Sequence, residues 1–202
     1  MRKYLSSLAV ATVLVAALCI GSARLSDRAR ALGSIVIYGS GANVAIGDFS
    51  SAEIMQAQST IPLPGCVTSY SVVLGPNVGS PQYNIQWDFA YDDAGLPGIG
   101  IVSGSFHAEP NAVNYVTGFA PFCVDGWTKI WLILYADPQS TNYRYQWSGS
   151  STNVYSNGSR CYSTNFAETW NCDAYDLAMS ITSVEATSTP SATPTGATPT
   201  AT

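Results

Sequence analysis

Residues 127–135 read Trp-Thr-Lys-Ile-Trp-Leu-Ile-Leu-Tyr, the longest run in the chain that is apolar at both odd and even positions. Alternate residues of a strand face opposite sides, so this run predicts a central strand covered on both faces. Other segments alternate cleanly. In residues 82–91, Tyr83, Ile85, Trp87, Phe89 and Tyr91 fall on one face, with Gln82, Asn84, Gln86, Asp88 and Ala90 on the other. Strands are also predicted at 34–38, 56–63, 66–74, 99–106, 112–119, 143–147 and 175–182, with short ones at 154–155 and around Cys161. Gly39-Ser40-Gly41, Pro62 and Pro64, the run 92–98 and Asp125-Gly126 supply turn and stop chemistry between them. No amphipathic helix stands out. Eight to ten short strands at roughly ten-residue spacing predict an all-β fold, an antiparallel β-sandwich, because half-dry strands need a second sheet to cover them. Strand number favours a jelly roll over an immunoglobulin-like topology.

The two ends differ from this pattern. Arg2 and Lys3 precede an uncharged apolar core from Leu5 to Ile20, then Gly21-Ser22-Ala23, which predicts a signal peptide over residues 1–23. Residues 24–33 read as a flexible lead-in and residues 34–185 as the sandwich domain. Residues 186–202 form a Thr/Pro-rich spacer; from Thr187 onward it carries seven threonines and three prolines, with no aromatic or charged residue. Such a segment has nothing to bury and cannot offset its ordering entropy. The expected destination is outside the cell, secreted or at the cell surface, with no membrane insertion once the signal is removed.

Charge narrows the choice of partner. The whole chain has a formal net charge of −5, but residues 34–185 hold only Lys129, Arg144 and Arg160 against twelve acids, a balance near −9. That excess repels phosphate backbones and anionic lipid, so nucleic acid is a poor partner. Four cysteines remain after the signal: Cys66, Cys123, Cys161 and Cys172. An even number in an exported chain points to two disulfides. Of the three pairings, Cys66–Cys123 and Cys161–Cys172 are preferred; the latter closes a short polar loop.

The pattern resembles the jelly-roll modules of secreted bacterial surface proteins known as choice-of-anchor domains. The residues that carry the likeness fall in order. Ala57-Gln58-Ser59 leads into Cys66–Val72, and Gly95-Leu96-Pro97-Gly98 precedes Ile101–Gly104. Trp127–Leu134 follows, then Trp147-Ser148-Gly149-Ser150 with Tyr155 and Gly158, and Tyr175-Asp176-Leu177-Ala178 comes last. The likeness spans most of residues 56–182 and implies a non-catalytic extracellular β-sandwich used for display, adhesion or ligand binding. The four cysteines and the lack of a visible anchor depart from it.

Catalytic chemistry has little support. There is no Gly-x-Ser-x-Gly elbow, and His107, the single histidine, sits beside Glu109 and Pro110 past a strand end. Glycoside hydrolysis needs two converging carboxylates, and no spacing nominates a pair. Calcium is the one cofactor with candidate ligands: Asp92 and Asp93 in one turn, and Asp173 with Asp176 near the last strand. Plain turn and capping roles are the alternative for all four. Aromatic residues crowd the span 143–175, where rings could stack on the apolar faces of sugars. Trp170, in the loop between Cys161 and Cys172, is the first candidate contact, followed by Tyr162 and Tyr155; Tyr143, Tyr145 and Trp147 share a strand face and read as core. The leading expectation is a non-enzymatic module that binds an extracellular glycan or surface protein. The alternatives are a purely structural envelope protein and a hydrolase.

Overall fold

A computed structural model describes residues 31–37, 42–47, 54–81, 84–136 and 142–185, with the backbone alone for 31–36. The chain divides into residues 1–30, outside the described residues, and a second unit, Ala31–Thr202, that holds every described strand. The signal peptide, most of the lead-in, Tyr83 and the Thr/Pro spacer lie outside the described residues.

Thirteen strands form among the described residues, more than the eight to ten expected: β1 (Ala31–Ile37), β2 (Ala42–Ile46), β3 (Met55–Thr60), β4 (Gly65–Val73), β5 (Ile85–Asp93), β6 (Leu96–Phe106), β7 (Val113–Val124), β8 (Ile130–Ala136), β9 (Tyr145–Ser150), β10 (Arg160–Ser163), β11 (Asn171–Asp173), β12 (Asp176–Leu177) and β13 (Met179–Val184). They make three sheets, ordered β1-β13-β4-β7, β11-β10-β3-β8-β5-β6 and β12-β9-β2, and every strand pairing is antiparallel. Eight of these strands follow a simple rule. Taken in chain order, β1, β3, β4, β5, β6, β7, β8 and β13 pair first with eighth, second with seventh, third with sixth and fourth with fifth. A long hairpin rolled on itself gives this pairing, a strand order compatible with a jelly roll.

The rolled sheets close on one core. Val67, Tyr70 and Val72 of β4, with Met179 and Ile181 of β13, meet Ile85, Trp87 and Phe89 of β5 and Ile130, Leu132 and Leu134 of β8. Tyr70 sits at the centre of the aromatic packing, its ring centre 5.3 Å from Trp87 and 5.4 Å from Phe89 in edge-to-face geometry. On the other face of the six-stranded sheet a second cluster joins Ile54, Met55, Ala57, Ala90, Trp131, Ile133 and Cys161. The central strand is therefore dry on both sides, as its composition dictates.

Several boundaries differ from the sequence reading. Trp127 is not in the central strand. Asp125 Oδ1 accepts hydrogen bonds from the Trp127 and Thr128 amides, both at 2.8 Å, which keeps the turn open until Ile130 and leaves Trp127 87% exposed. The same bonds, that from Trp127 first, hold the Asp125 carboxyl below its ordinary range. Gly126 takes φ +82° there, where a Cβ would also press on Pro64. Residues 154–155 form no strand, and Asn157-Gly158 is a plain turn. β2 was not anticipated, because five residues with three small or polar members give too weak an alternation.

Both disulfides form as preferred, Cys66–Cys123 and Cys161–Cys172. Each bridges residues directly opposite one another, the first across β4 and β7, the second across β10 and β11. These bonds are compatible with an extracellular protein. Among the described residues no helix is long and apolar enough to cross a membrane.

Candidate functional site

The rolled hairpin carries two insertions, and topology brings them together. β2 is inserted between the first and second strands of the roll, and β9–β12 between the seventh and eighth. First pairs with eighth and second with seventh, so both insertions emerge at the same end of the roll. β2 accordingly pairs with β9, while β10 pairs with β3 and extends the six-stranded sheet. An open groove of about 490 Å³ lies where they meet, within the roughly 300–1,000 Å³ typical of small-molecule sites.

Strand alternation decides what lines it. On the β2–β9 pair, Val44, Ile46, Tyr145 and Trp147 turn into the core, which leaves Asn43, Ala45 and Gln146 on the outer face, with Arg144 just ahead of β9. In β10, Cys161 packs on the second cluster, so Arg160 and Tyr162 point the opposite way, into the groove. Asp173 and Tyr175 complete the lining.

Arg160 organises this surface. It is 3% exposed, and its Nε donates to Gln56 Oε1 at 2.8 Å while its Nη1 donates to Asp173 Oδ2 at 2.6 Å. Its guanidinium carbon lies 4.9 Å from the Tyr162 ring centre and 5.3 Å from that of Tyr175. Gln56 in turn donates through Nε2 to the Ala45 carbonyl at 2.8 Å. One buried arginine thus ties β2, β3, β10 and the Asp173–Tyr175 segment to a common geometry. Gln56 and Gln58 are fully buried, which their strand alternation alone would not predict. These bonds offset the burial of Gln56, and Gln58 is satisfied by the Ser59 carbonyl, Asp176 Oδ1 and the Leu177 amide.

The residues singled out from the sequence do not all come together. Tyr162 and Asp173 line the groove. Trp170 packs, half-buried, on the second cluster beside Trp131 and Cys161, on the opposite face of the sheet. Tyr155 leans on the main core, and its hydroxyl accepts bonds from Thr60 Oγ1 at 3.2 Å and the Ile61 amide at 3.4 Å. Asp176 is fully buried; its Oδ2 accepts from the Val154 and Tyr155 amides and its Oδ1 from Gln58 Nε2. Asp92 accepts from the Gly95 amide and from Trp131 Nε1, and Asp93 sits exposed beside it. Among the described residues no three His, Cys, Asp or Glu side chains gather as a metal-ligand set. His107 is exposed just past β6.

Arg144, Gln146, Arg160 and Tyr175 were not singled out. The available signal was charge: two of the three basic residues in 34–185 fall inside the aromatic-rich span. A smaller cleft of about 330 Å³ runs along β6 beside Asp88. Burial pushes the Asp88 carboxyl above the ordinary carboxylate range, and a hydrogen bond from Tyr135 acts against that shift. Asp88 is the one carboxylate lining it.

The Cys161–Cys172 bridge supports the groove from behind, since β11 is three residues long and pairs only with β10. Replacing both cysteines with serine releases an eleven-residue separation, worth about 3 kcal/mol of loop entropy. The expected fall in Tm is about 6–12 °C with the sandwich retained, since Cys66–Cys123 remains; an unchanged Tm in a thermal melt would show that β11 needs no staple.

No family model, curated protein or solved structure matches the chain.

Proposed function

We propose that this chain is a secreted, non-catalytic β-sandwich module that binds glycans in the groove between β2, β9 and β10. The observation that carries the reading is the meeting of two half-buried tyrosine rings, Tyr162 and Tyr175, with Gln146, Arg144, Arg160 and Asp173 on one open surface. Aromatic rings offer area to the apolar face of a pyranose, while planar amide, guanidinium and carboxylate groups match its hydroxyls. Such a site is also prepared in advance, because the Arg160 network fixes the rings before any ligand arrives. Trp170 and Tyr155, spent on packing, are left out of the contact set. The apolar leader and even cysteine count support export, and the choice-of-anchor likeness supports a role in display or adhesion at a bacterial surface.

The structural alternative draws on one observation: Arg160 is saturated by Gln56, Asp173 and two rings, as a purely architectural arginine would be. A glycan array with the full chain separates the two readings. Specific binding is expected, weakened about tenfold in Tyr162→Ala, equivalent to about 1.4 kcal/mol. A folded protein that binds no glycan, or a Tyr162→Ala variant that binds as well as the parent, would sink the proposal.

A further inference from the structure

We infer that the free edge of β6 is an interaction surface whose partner is a second copy of this chain, paired strand to strand about a two-fold axis. β6 closes one end of the six-stranded sheet, and among the described residues it pairs with β5 alone. The outer row of backbone amides and carbonyls on such a strand is a template for another strand. Folded proteins ordinarily blunt an edge of this kind by keeping it short, or with lysine, proline or a break in the strand. Setting aside β1, described by its backbone alone, the other sheet ends follow that practice. β11, β2 and β12 have three, five and two residues. β7 has twelve, but its pairing with β4 jumps from Thr117 to Phe122, with Gly118 at φ +81° and Pro121, which has no amide to donate, in between. β6 has eleven residues and carries its one proline, Pro97, at the second position. Its register with β5 is regular from Val102 to Phe106, and in that run Ser103 and Ser105 are exposed.

Charge selects the occupant. Residues 94–106 include no charged side chain, in a domain whose balance is near −9 over residues 34–185. Two such domains repel each other over most of their surface, so they can meet only where both are neutral. Antiparallel self-pairing of β6 sets this uncharged edge against the same uncharged edge. It also keeps the nearest acids apart. Asp92 and Asp93 lie at the hairpin tip just before β6, and antiparallel pairing carries the two tips to opposite ends of the contact. They are then at least about 35 Å apart, the length of one such strand at about 3.3 Å per residue, which is several Debye lengths at physiological salt. Asp88 stands opposite Ser103 but one strand further in, on β5. Ile99, 82% exposed on β6, gains an apolar neighbour from the second copy. The symmetry closes the assembly: each copy spends its β6 edge on the other, so growth stops at two. The product is one continuous sheet with six strands from each copy. The pairing does not rest on the glycan reading; where that reading holds, a dimer presents two grooves and gains avidity for a repetitive ligand.

The test is sedimentation equilibrium of the full chain over a range of concentrations, where a monomer–dimer equilibrium is expected and nothing larger. Ser103→Lys and Ser105→Lys each bring like charges together where the two edges meet and should weaken the dimer tenfold or more. Both positions are exposed, so the Tm of each variant should match the parent. Thr117→Lys, on the exposed face of β7, should leave the dimer as it is. Hydrogen exchange of the parent reads the same edge with no substitution: amides in residues 96–106 should gain protection as concentration rises, and those in 113–117 should not. A chain that stays monomeric up to about 1 mM, or a dimer indifferent to both β6 lysines, would overturn the proposal. So would a dimer broken by Thr117→Lys instead, or growth past two copies into open-ended assemblies.

Discussion

Asp176→Ala is expected to destabilise the protein by roughly 3–5 kcal/mol, a fall in Tm of about 6–20 °C. The carboxylate is fully buried and is held by three N–H donors. Its Oδ2 accepts from Val154 at 2.6 Å and Tyr155 at 2.7 Å, and its Oδ1 accepts from Gln58 Nε2 at 3.2 Å. Truncation orphans the Val154 and Tyr155 amides and leaves Gln58 Nε2 with the Ser59 carbonyl alone, and each buried orphan costs about 1–3 kcal/mol. The damage spreads along the chain. Gln58 Oε1 also accepts from the Leu177 amide at 2.7 Å, so of these two bonds between Gln58 and β12 one is lost with the carboxylate. β12 lies so close to β9 that a Cβ on Gly149 would collide with the Asp176 carbonyl. Asp176→Asn should cost about half as much: one amide oxygen can still accept from the Val154 and Tyr155 amides, but its nitrogen then opposes the Gln58 donor. A thermal melt of both variants decides the matter, and a loss under about 2 °C for the alanine variant would show that this carboxylate does not anchor the 151–155 loop.

That role shows where sequence reading reaches and where it stops. Asp176 stands three residues after an aspartate, and nothing local separates a buried anchor from a turn cap or a cation ligand. The difference lies in Gln58, more than a hundred residues away in sequence. The groove has the same character: Gln56 and Arg160 meet across 104 residues. Periodicity is a local signal, so it revealed the alternation of β5 and β13 and the double-sided burial of β8, and from these the all-β sandwich. It is blind to which insertion meets which. Once first-with-eighth and second-with-seventh pairing is known, the meeting of β2 with β9 follows from connectivity alone. Trp127 marks the opposite failure, where an apolar residue next to a strand was read into it. Asp125, two residues earlier, had already committed its carboxylate to the turn.

Trp131→Ala is expected to cost roughly 3–5 kcal/mol, on a par with any single substitution in the main core. Trp131 is fully buried, but on the outer face of the six-stranded sheet, among Ala57, Ala90, Ile133 and Cys161. Its Nε1 donates to Asp92 Oδ1 at 2.8 Å, and Asp92 Oδ2 accepts from the Gly95 amide at the tip of the β5–β6 hairpin. Losing the indole therefore opens a cavity and frees one oxygen of the carboxylate that shapes the hairpin. Trp131→Phe keeps most of the volume and removes only the donor, so its cost should fall to about 1–2 kcal/mol. The informative comparison is with Leu132→Ala on the same strand. Leu132 is fully buried in the main core, one residue along and on the opposite face, and its truncation should cost about 2–5 kcal/mol. A strand wet on one face would make one of these two alanine substitutions nearly silent in a urea melt. Two large losses would establish that β8 is covered on both sides and that the outer cluster stabilises the protein as much as the inner core does.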